Sequence, residues 1–389
     1  ADTSNNLGTS DEVTVSSVLP AAGMVIWELT PPVLYEALGG TEDAEPTDLV
    51  RHADGSLSVT GEATILLDEE ACVGLQGAAL QQCLWGLDND GWGAVFTWAP
   101  SESAWVPPTY EGVTPVLLWP VESAAYVGGN LVLTGQTSSD KFGWKVLDKT
   151  GEVIFEDQLN LFAPSSSQYS SSVVGGAGDR ALMVGAYEND QGESVLVYQR
   201  MAATGSFLGQ LDFQNEDAGS PVYSYNPSSL AQGPAGELYI SGKSDAKLVG
   251  WPESEFLRRI DGEGTVLWTK PAADDQPNDN VVLDDTAVTP DGDVVVIGSF
   301  SEFSPNGTFA LFRKYSSAGA LLWELTIAPV IEEGLIISYL TGKIAVGPDG
   351  KVAFCGLKAL IEDGKHVENG TWVGVIEDHG DSAEIDRKS

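Results

Sequence analysis

Short apolar runs recur along this chain, each ending in glycine shortly after a tight turn. The copies read SLSVTG (56–61), NLVLTG (130–135), RALMVG (180–185), ELYISG (237–242), DVVVIG (293–298) and KVAFCG (351–356). Five have a glycine six residues before the last one, at Gly55, Gly129, Gly236, Gly292 and Gly350, and the remaining copy puts Gly178 one place earlier. A second apolar stretch and a turn precede each run, as in TAVTPDGDVVVIG (286–298), KIAVGPDGKVAFCG (343–356) and SLAQGPAGELYISG (229–242). P-D-G, P-A-G and A-D-G are hairpin punctuation and the flanks are apolar and β-branched, so each copy predicts an antiparallel pair of strands, a and b.

A second hairpin follows with its own signature: GWKVLDKTGEVIFEDQL (143–159), FLRRIDGEGTVLWTKPA (256–272) and ALFRKYSSAGALLWELTIA (310–328). Its turn glycines are Gly151, Gly264 and Gly319, and the fourth residue after each is aromatic: Phe155, Trp268 and Trp323. A looser version around Gly205 carries Phe207. These are strands c and d. Four antiparallel strands per roughly 50–60 residues, repeated, predict an all-β chain forming a single β-propeller. Each unit is too small to bury its own faces and must stack on its neighbours.

The segment SSVLPAAGMVIWELT (16–30) matches RKYSSAGALLWELT (313–326) in its AG turn and its WELT tail. A c–d pair with no a–b pair before it predicts ring closure, with Trp27 on the outer strand of the blade begun by residues 339–357. GTWVGVIEDHGDSAEID supplies strand c there and a displaced strand d. Counting a–b pairs gives six blades. Counting c–d pairs, including turns near Gly91 and Gly380, gives seven, and that alternative stays open. The domain reading is a flexible segment over 1–12 and a propeller over 13–389, with loop insertions at 62–83 and 99–120.

The two hairpin signatures together resemble the bacterial SBBP-type β-propeller repeat, in which a G-N-V-Y-V-T-G strand precedes an F-V-A-K-L-D-x-x-G strand and a W/F strand. ELYISG with FLRRIDGEGTVLW, DVVVIGSF with FALFRKYSSAGALLW, and NLVLTGQTSSDKFGWKVLDKTGEVIF carry the resemblance, over roughly residues 121–380. It implies a secreted or surface protein and transfers no catalytic signature.

Charge narrows the partners. Asp and Glu number 57 against 19 Lys and Arg, a net charge of −38 over 389 residues. Such a chain repels the phosphates of nucleic acids and anionic membranes. It suits high solubility, a cationic partner or divalent metal. No apolar run approaches the ~18 residues of a membrane helix. The opening ADTSNNLGTSDE reads as the mature end of an exported protein, secreted, periplasmic or on the outer cell surface. Of three cysteines, Cys72 and Cys83 flank an insertion that a disulfide would staple, while Cys355 lies inside a strand as a buried free thiol.

Candidate chemistry concentrates where the repeat breaks. Residues 62–83 read as a b–c connection and 99–120 as a d–a connection of the first blade, which puts both on one face. Long loops on a rigid scaffold usually carry function. Trp98, Trp105, Tyr110 and Trp119, with Trp251, are candidate ligand-binding rings for a glycan or a proline-rich peptide. The competing reading is that they pin the loop by burying area.

Carboxylates crowd the same face: Asp68, Glu69 and Glu70; Asp274, Asp275, Asp284 and Asp285 in one d–a loop; Glu332 and Glu333 in another. Calcium takes six to eight oxygens, so Asp284 with Asp285, and Asp88 with Asp90 in DNDG, are candidate Ca2+ ligands. The DNDG stretch is more simply a hairpin turn. His52, His366 and His379 are far apart in sequence and show no zinc spacing. No G-x-S-x-G, Walker loop or haem motif occurs. The reading is a non-catalytic binding module for a protein or glycan. Its alternatives are a carboxylate-dependent glycoside hydrolase or lyase in the central channel, and a structural surface module.

Overall fold

The computed structural model describes residues 41–51, 57–65, 92–98, 110–116, 121–136, 142–158, 168–176, 178–188, 194–213, 222–246, 254–270, 281–303, 306–332, 335–347, 349–362, 365–380 and 382–386. The chain divides into two compact units, Ala1–Tyr126 and Val127–Ser389. Every regular element among the described residues is a β-strand, and the strands pair antiparallel in four-stranded sheets, one with a fifth strand.

The sheets follow the predicted order a-b-c-d. The first holds β1 (Thr41–Arg51), β2 (Leu57–Ile65), β3 (Trp92–Trp98) and β4 (Tyr110–Val116). The second holds β5 (Val121–Val127), β6 (Asn130–Gln136), β7 (Phe142–Leu147) and β8 (Val153–Gln158). The third holds β9 (Gln168–Gly176), β10 (Arg180–Glu188), β11 (Ser194–Ala202) and β12 (Phe207–Phe213). β13 (Val222–Gln232), β14 (Leu238–Ala246), β15 (Ser254–Ile260) and β16 (Val266–Lys270) make the fourth. β17 (Val281–Val288), β18 (Val294–Phe303), β19 (Asn306–Tyr315) and β20 (Leu321–Ile327) make the fifth. The last adds β21 (Val330–Glu332) to β22 (Leu335–Val346), β23 (Val352–Glu362), β24 (Lys365–Asp378) and β25 (Ala383–Asp386).

The first sheet departs from expectation. Its c–d pair does not turn at Gly91: strand c is β3, which begins after that glycine, and it pairs with β4 across residues 99–109. Residues 66–91 therefore enter one end of β3 and residues 99–109 leave the other, so the two insertions emerge at opposite ends of this sheet. At the C-terminus, β25 supplies the displaced strand d, pairing with Val375–Asp378.

In residues 127–389, the fourth and fifth sheets bury both faces against their neighbours, while the last sheet leaves Leu357 and Val373 exposed on its central strands. Leu238 and Ile240 of β14 pack with Leu182, Val184, Leu196 and Tyr198 of the third sheet. Tyr239, between them in sequence, packs with Val281, Val294 and Val296 of the fifth. Val295 and Ile297 turn the other way, onto Phe354 and Ile376 of the last sheet. Alternate residues of a strand point to opposite faces. A strand sandwiched between two sheets is thus apolar throughout, and this is why the repeat runs are continuous rather than alternating.

The glycine ending a run has a steric cause where it is seen, at Gly242, Gly298 and Gly356. In five sheets strand a carries one extra residue: Thr47, Ser171, Ser228, Asp284 and Gly342 fall at the register shifts. Just before each bulge, Pro46, Ser170, Pro227, Leu283 and Thr341 face Gly61, Gly185, Gly242, Gly298 and Gly356. A β-bulge bends its strand toward the partner. A Cβ on Gly242 would lie 2.1 Å from the Asn226 carbonyl oxygen, and one on Gly298 would lie 2.2 Å from that of Val282. Only a residue without a side chain fits there.

The turn glycines answer to a different constraint. Gly236, Gly292 and Gly350 adopt φ of +87°, +87° and +80°, and each donates its N–H to the residue three before it, closing a three-residue hairpin loop. Around Gly236 a Cβ would meet nothing within 4 Å, so conformation, not space, selects glycine. In the copy with Gly178 displaced, Gly178 and Asp179 are both left-handed, at φ +72° and +54°.

The two glycine types therefore separate by mutation. Gly298→Ala should cost about 2–3 kcal/mol by urea unfolding, since two backbones must part. Gly236→Ala should cost about 1 kcal/mol, the left-handed penalty alone, and Gly236→Asn less. Equal losses for the two alanine variants would remove the steric account of the strand glycine.

Candidate functional site

Polar side chains inside the sheets repeat as regularly as the glycines, and most serve as ties. The basic position of the c strand is buried and bonds to its register partner on d. Lys145 lies 3.3 Å from Glu156, and Arg313 Nε donates to Glu324 at 2.6 Å. Gln199 donates to Gln210 at 3.2 Å and Arg258 to Thr269 at 3.2 Å in the same place. Arg313 also reaches across to Glu255 of the fourth sheet. A buried charge costs several kcal/mol unless paired, and these pairs meet that cost.

At the a–b and c–d turn end of residues 127–389, neighbouring sheets are bonded together. Trp144 Nε1 donates to the Gly205 carbonyl at 3.3 Å, and Asn130 Nδ2 to that of Ala203 at 3.0 Å. Arg200 pairs with Glu263 at 2.8 Å. Arg259 and Trp268 both donate to the Ser317 carbonyl, at 2.6 and 3.0 Å, and the Tyr239 hydroxyl donates to that of Gly292 at 3.0 Å. Lys314 and Trp323 converge on Asp378 at 2.7 and 3.1 Å. The d-strand side chain of one sheet also lies beneath the next turn glycine: Phe155 below Gly205, Leu211 below Gly264, Trp268 below Gly319. Leu211, not Phe207, fills that position in the third sheet; Phe207 is 49% exposed.

The candidate site is the strand-a bulge. Asp285, expected in a loop, lies in β17 directly after the bulge and is buried. Its Oδ1 accepts from Ser229 Oγ of β13 at 2.6 Å and its Oδ2 from the Ile344 N–H of β22 at 2.9 Å. One carboxylate ties the first strands of three successive sheets. Within residues 1–126, Asp48 stands at the matching position: its Oδ2 accepts from Ser123 Oγ and the Ala124 N–H, both at 2.9 Å. Asp48 went unnoticed in sequence. Its signal was the constant offset of thirteen residues before the terminal glycine, which Ser172, Ser229, Asp285 and Lys343 share.

Asp284 is the extra residue of the bulge itself, and its Oδ2 accepts from Thr341 Oγ1 of β22. Burial pushes its carboxyl up to about 6; the Thr341 bond and Lys343 oppose the shift, and the Asp285 charge adds to it. Asp285 is likewise raised by burial, against Lys343, Ser229 and the backbone donors. The pair therefore offers one carboxyl that titrates near neutrality beside a second whose two oxygens are engaged. It can exchange hydrogen bonds with hydroxyl groups. Calcium would find two carboxylates already bonded to protein donors, where it needs six to eight oxygens.

The remaining sequence candidates scatter. Trp98 closes β3 and stands opposite Tyr110, the first residue of β4. Trp98 is thus on strand c, and the 99–120 segment is a c–d connection followed by strand d, not a d–a loop. Glu332 belongs to β21 and His366 to β24, both expected in loops. His379 occupies its predicted turn, and Cys355 is a free thiol, half-buried in β23. Trp27, His52, Cys72, Cys83, Asp88, Asp90, Trp105, Trp119, Trp251, Asp274 and Asp275 lie outside the described residues.

A carboxyl near 3.8 in the unfolded chain and about 6 in the fold keeps its proton longer in the fold. Stability contributed by Asp284 is therefore full below the unfolded value and is lost as pH rises toward 6. Above 6 the ionised group weighs on the fold at a constant level. Asp284→Asn, which stays neutral, should gain roughly 1–3 kcal/mol over wild type at pH 8, and the gain should shrink at pH 5. Urea unfolding at both pH values checks this; a pH-independent difference would contradict the buried-carboxyl account.

Comparison with known proteins gives fold likeness only. No family model matches the chain, and no curated protein matches it. Among solved structures it is similar to the Dos1 propeller, at 12% identity and TM-score 0.47 over 87% of this chain and 73% of that one. It is similar to a protein of unknown function from Dyadobacter fermentans, at 11% identity and TM-score 0.46 over 85% and 95%. A polysaccharide lyase, an ulvan lyase, superposes with TM-score 0.48 at 9% identity over 86% and 90%. Similarity at this level says nothing about what this chain binds or does.

Proposed function

We propose that the chain is an exported β-propeller of the SBBP repeat type, acting as a non-catalytic binding module for a protein or glycan. In this reading it has six blades, the N-terminal strand around Trp27 closes the ring beside β24, and Cys72 and Cys83 form a disulfide. The repetition of a-b-c-d sheets that pack face to face supports the architecture.

One observation carries the placement of the site. In residues 127–389, the a–b and c–d turn end is consumed by sheet-to-sheet bonds at Gly205, Ser317, Gly292 and Asp378. Recognition therefore falls to the other end, where the b–c and d–a connections lie. Trp251 sits in the connection between β14 and β15, and Asp284 stands three residues into β17, after the connection from β16. The ring would stack on an apolar or sugar face and the carboxyl would exchange hydrogen bonds with hydroxyls. Trp105 belongs to the c–d connection of the first sheet, within residues 1–126.

Asp284 also favours a second reading, since a carboxyl titrating at about 6 suits a general acid. A glycoside hydrolase needs a second free carboxyl, and both Asp285 oxygens are engaged.

A glycan array and pull-downs with wild type, Trp251→Ala, Asp284→Asn and Trp105→Ala discriminate these readings. Trp251→Ala and Asp284→Asn should each weaken capture about tenfold, an anchor-ring loss of roughly 1.4 kcal/mol, with Trp105→Ala unchanged. Loss confined to Trp105→Ala would move the site to the c–d connection of the first sheet. Polysaccharide cleavage abolished by Asp284→Asn would make the chain an enzyme.

A further inference from the structure

The hairpin of β24 and β25 holds a cluster that neither the sheet ties nor the proposed binding end uses. Register places Glu377 directly opposite Glu384. Like charges facing each other across a strand pair are destabilising, and a net charge of −38 aggravates the repulsion. His379 sits in the turn between them, with its N–H donating to the Ser382 carbonyl at 2.9 Å and its Nε2 3.7 Å from Glu384 Oε1. One ligand atom from each of Glu377, His379 and Glu384 lies within 4.8 Å of the others, and all three side chains are exposed.

The residue between the first two ligands points elsewhere. Asp378 Oδ2 accepts from Lys314 at 2.7 Å, and its Oδ1 accepts from Trp323 Nε1 at 3.1 Å and the Gly380 N–H at 2.9 Å. That single residue fastens the turn to the preceding sheet. The backbone beneath the three ligands is held, while their exposed side chains keep the freedom to close on an ion. An imidazole with two carboxylates is a mixed nitrogen and oxygen donor set. Calcium and magnesium prefer oxygen alone, whereas zinc, nickel and cobalt accept imidazole readily. Ligand distances of about 2.0–2.2 Å lie within reach of small side-chain rotations.

We propose that Glu377, His379 and Glu384 bind one divalent transition-metal cation of the zinc class, with water completing its coordination. The ion would neutralise the carboxylate pair that the hairpin register forces together.

Calorimetric titration of the full chain with Zn2+, in a millimolar excess of Mg2+ to occupy unselective carboxylates, tests the site. One equivalent should bind, with His379→Ala weakening it at least about tenfold and Glu384→Gln weakening it as well. Co2+ loading gives an independent readout, since its visible absorption should be lost in His379→Ala. Circular dichroism melting of metal-free His379→Ala should match wild type, because the imidazole is exposed, and metal-free Glu384→Gln should melt at or slightly above it, because one of two facing charges is gone. Absence of Zn2+ binding, binding unchanged in His379→Ala, or full competition by Mg2+ would each overturn the proposal.

Discussion

A four-stranded sheet that is apolar on both faces cannot exist alone in water, and the fold of residues 127–389 follows from that constraint. Tyr239 faces one neighbouring sheet while Leu238 and Ile240 face the other, so the central strands of the fourth sheet have no solvent side. Each buried Leu, Ile or Val contributes about 1.5–3 kcal/mol relative to exposure. The long basic side chains of strand c enter this packing bonded to a partner. Lys145, Arg258 and Arg313 do so through their register partners on strand d.

Close stacking also explains the pairing of bulge and glycine. A bulge on strand a bends it toward strand b, and glycine opposite lets the two backbones approach. The extra residue created there re-aims a side chain, Asp284, toward the neighbouring sheet's β22, while the next residue, Asp285, ties three first strands together. The same distortion thus builds both the structural tie and a carboxyl that burial pushes up to about 6.

Much of this was legible in sequence because it rests on residues that few others can replace. Glycine at a left-handed turn, glycine against a carbonyl, and a hydrophobic residue beneath the next turn all leave marks. The bulge leaves none, since an extra residue in a strand does not change composition. Asp284 and Asp285 read as a loop because adjacent carboxylates ordinarily face water, and only coordinates reveal Ser229 and the Ile344 N–H waiting for one of them. In the first sheet DNDG has the form of a hairpin turn but stands just before strand c, which begins at Trp92. Phe207 stands away from the packing position because the residue matching Trp268 in register is Gly209, and Leu211, two places on and on the same face, fills the space.

The contact between the d-strand side chain and the next turn glycine has a direction. Phe155 reaches the third sheet's turn, Leu211 the fourth's and Trp268 the fifth's, always from a sheet toward its successor. Such an interface is heterologous: each unit presents a knob on one flank and a socket on the other. Head-to-tail surfaces end either in a closed ring or in an open-ended stack. A chain cut after β20 would present Trp323 and Lys314 without Asp378, and that bare flank would seek the socket of another molecule.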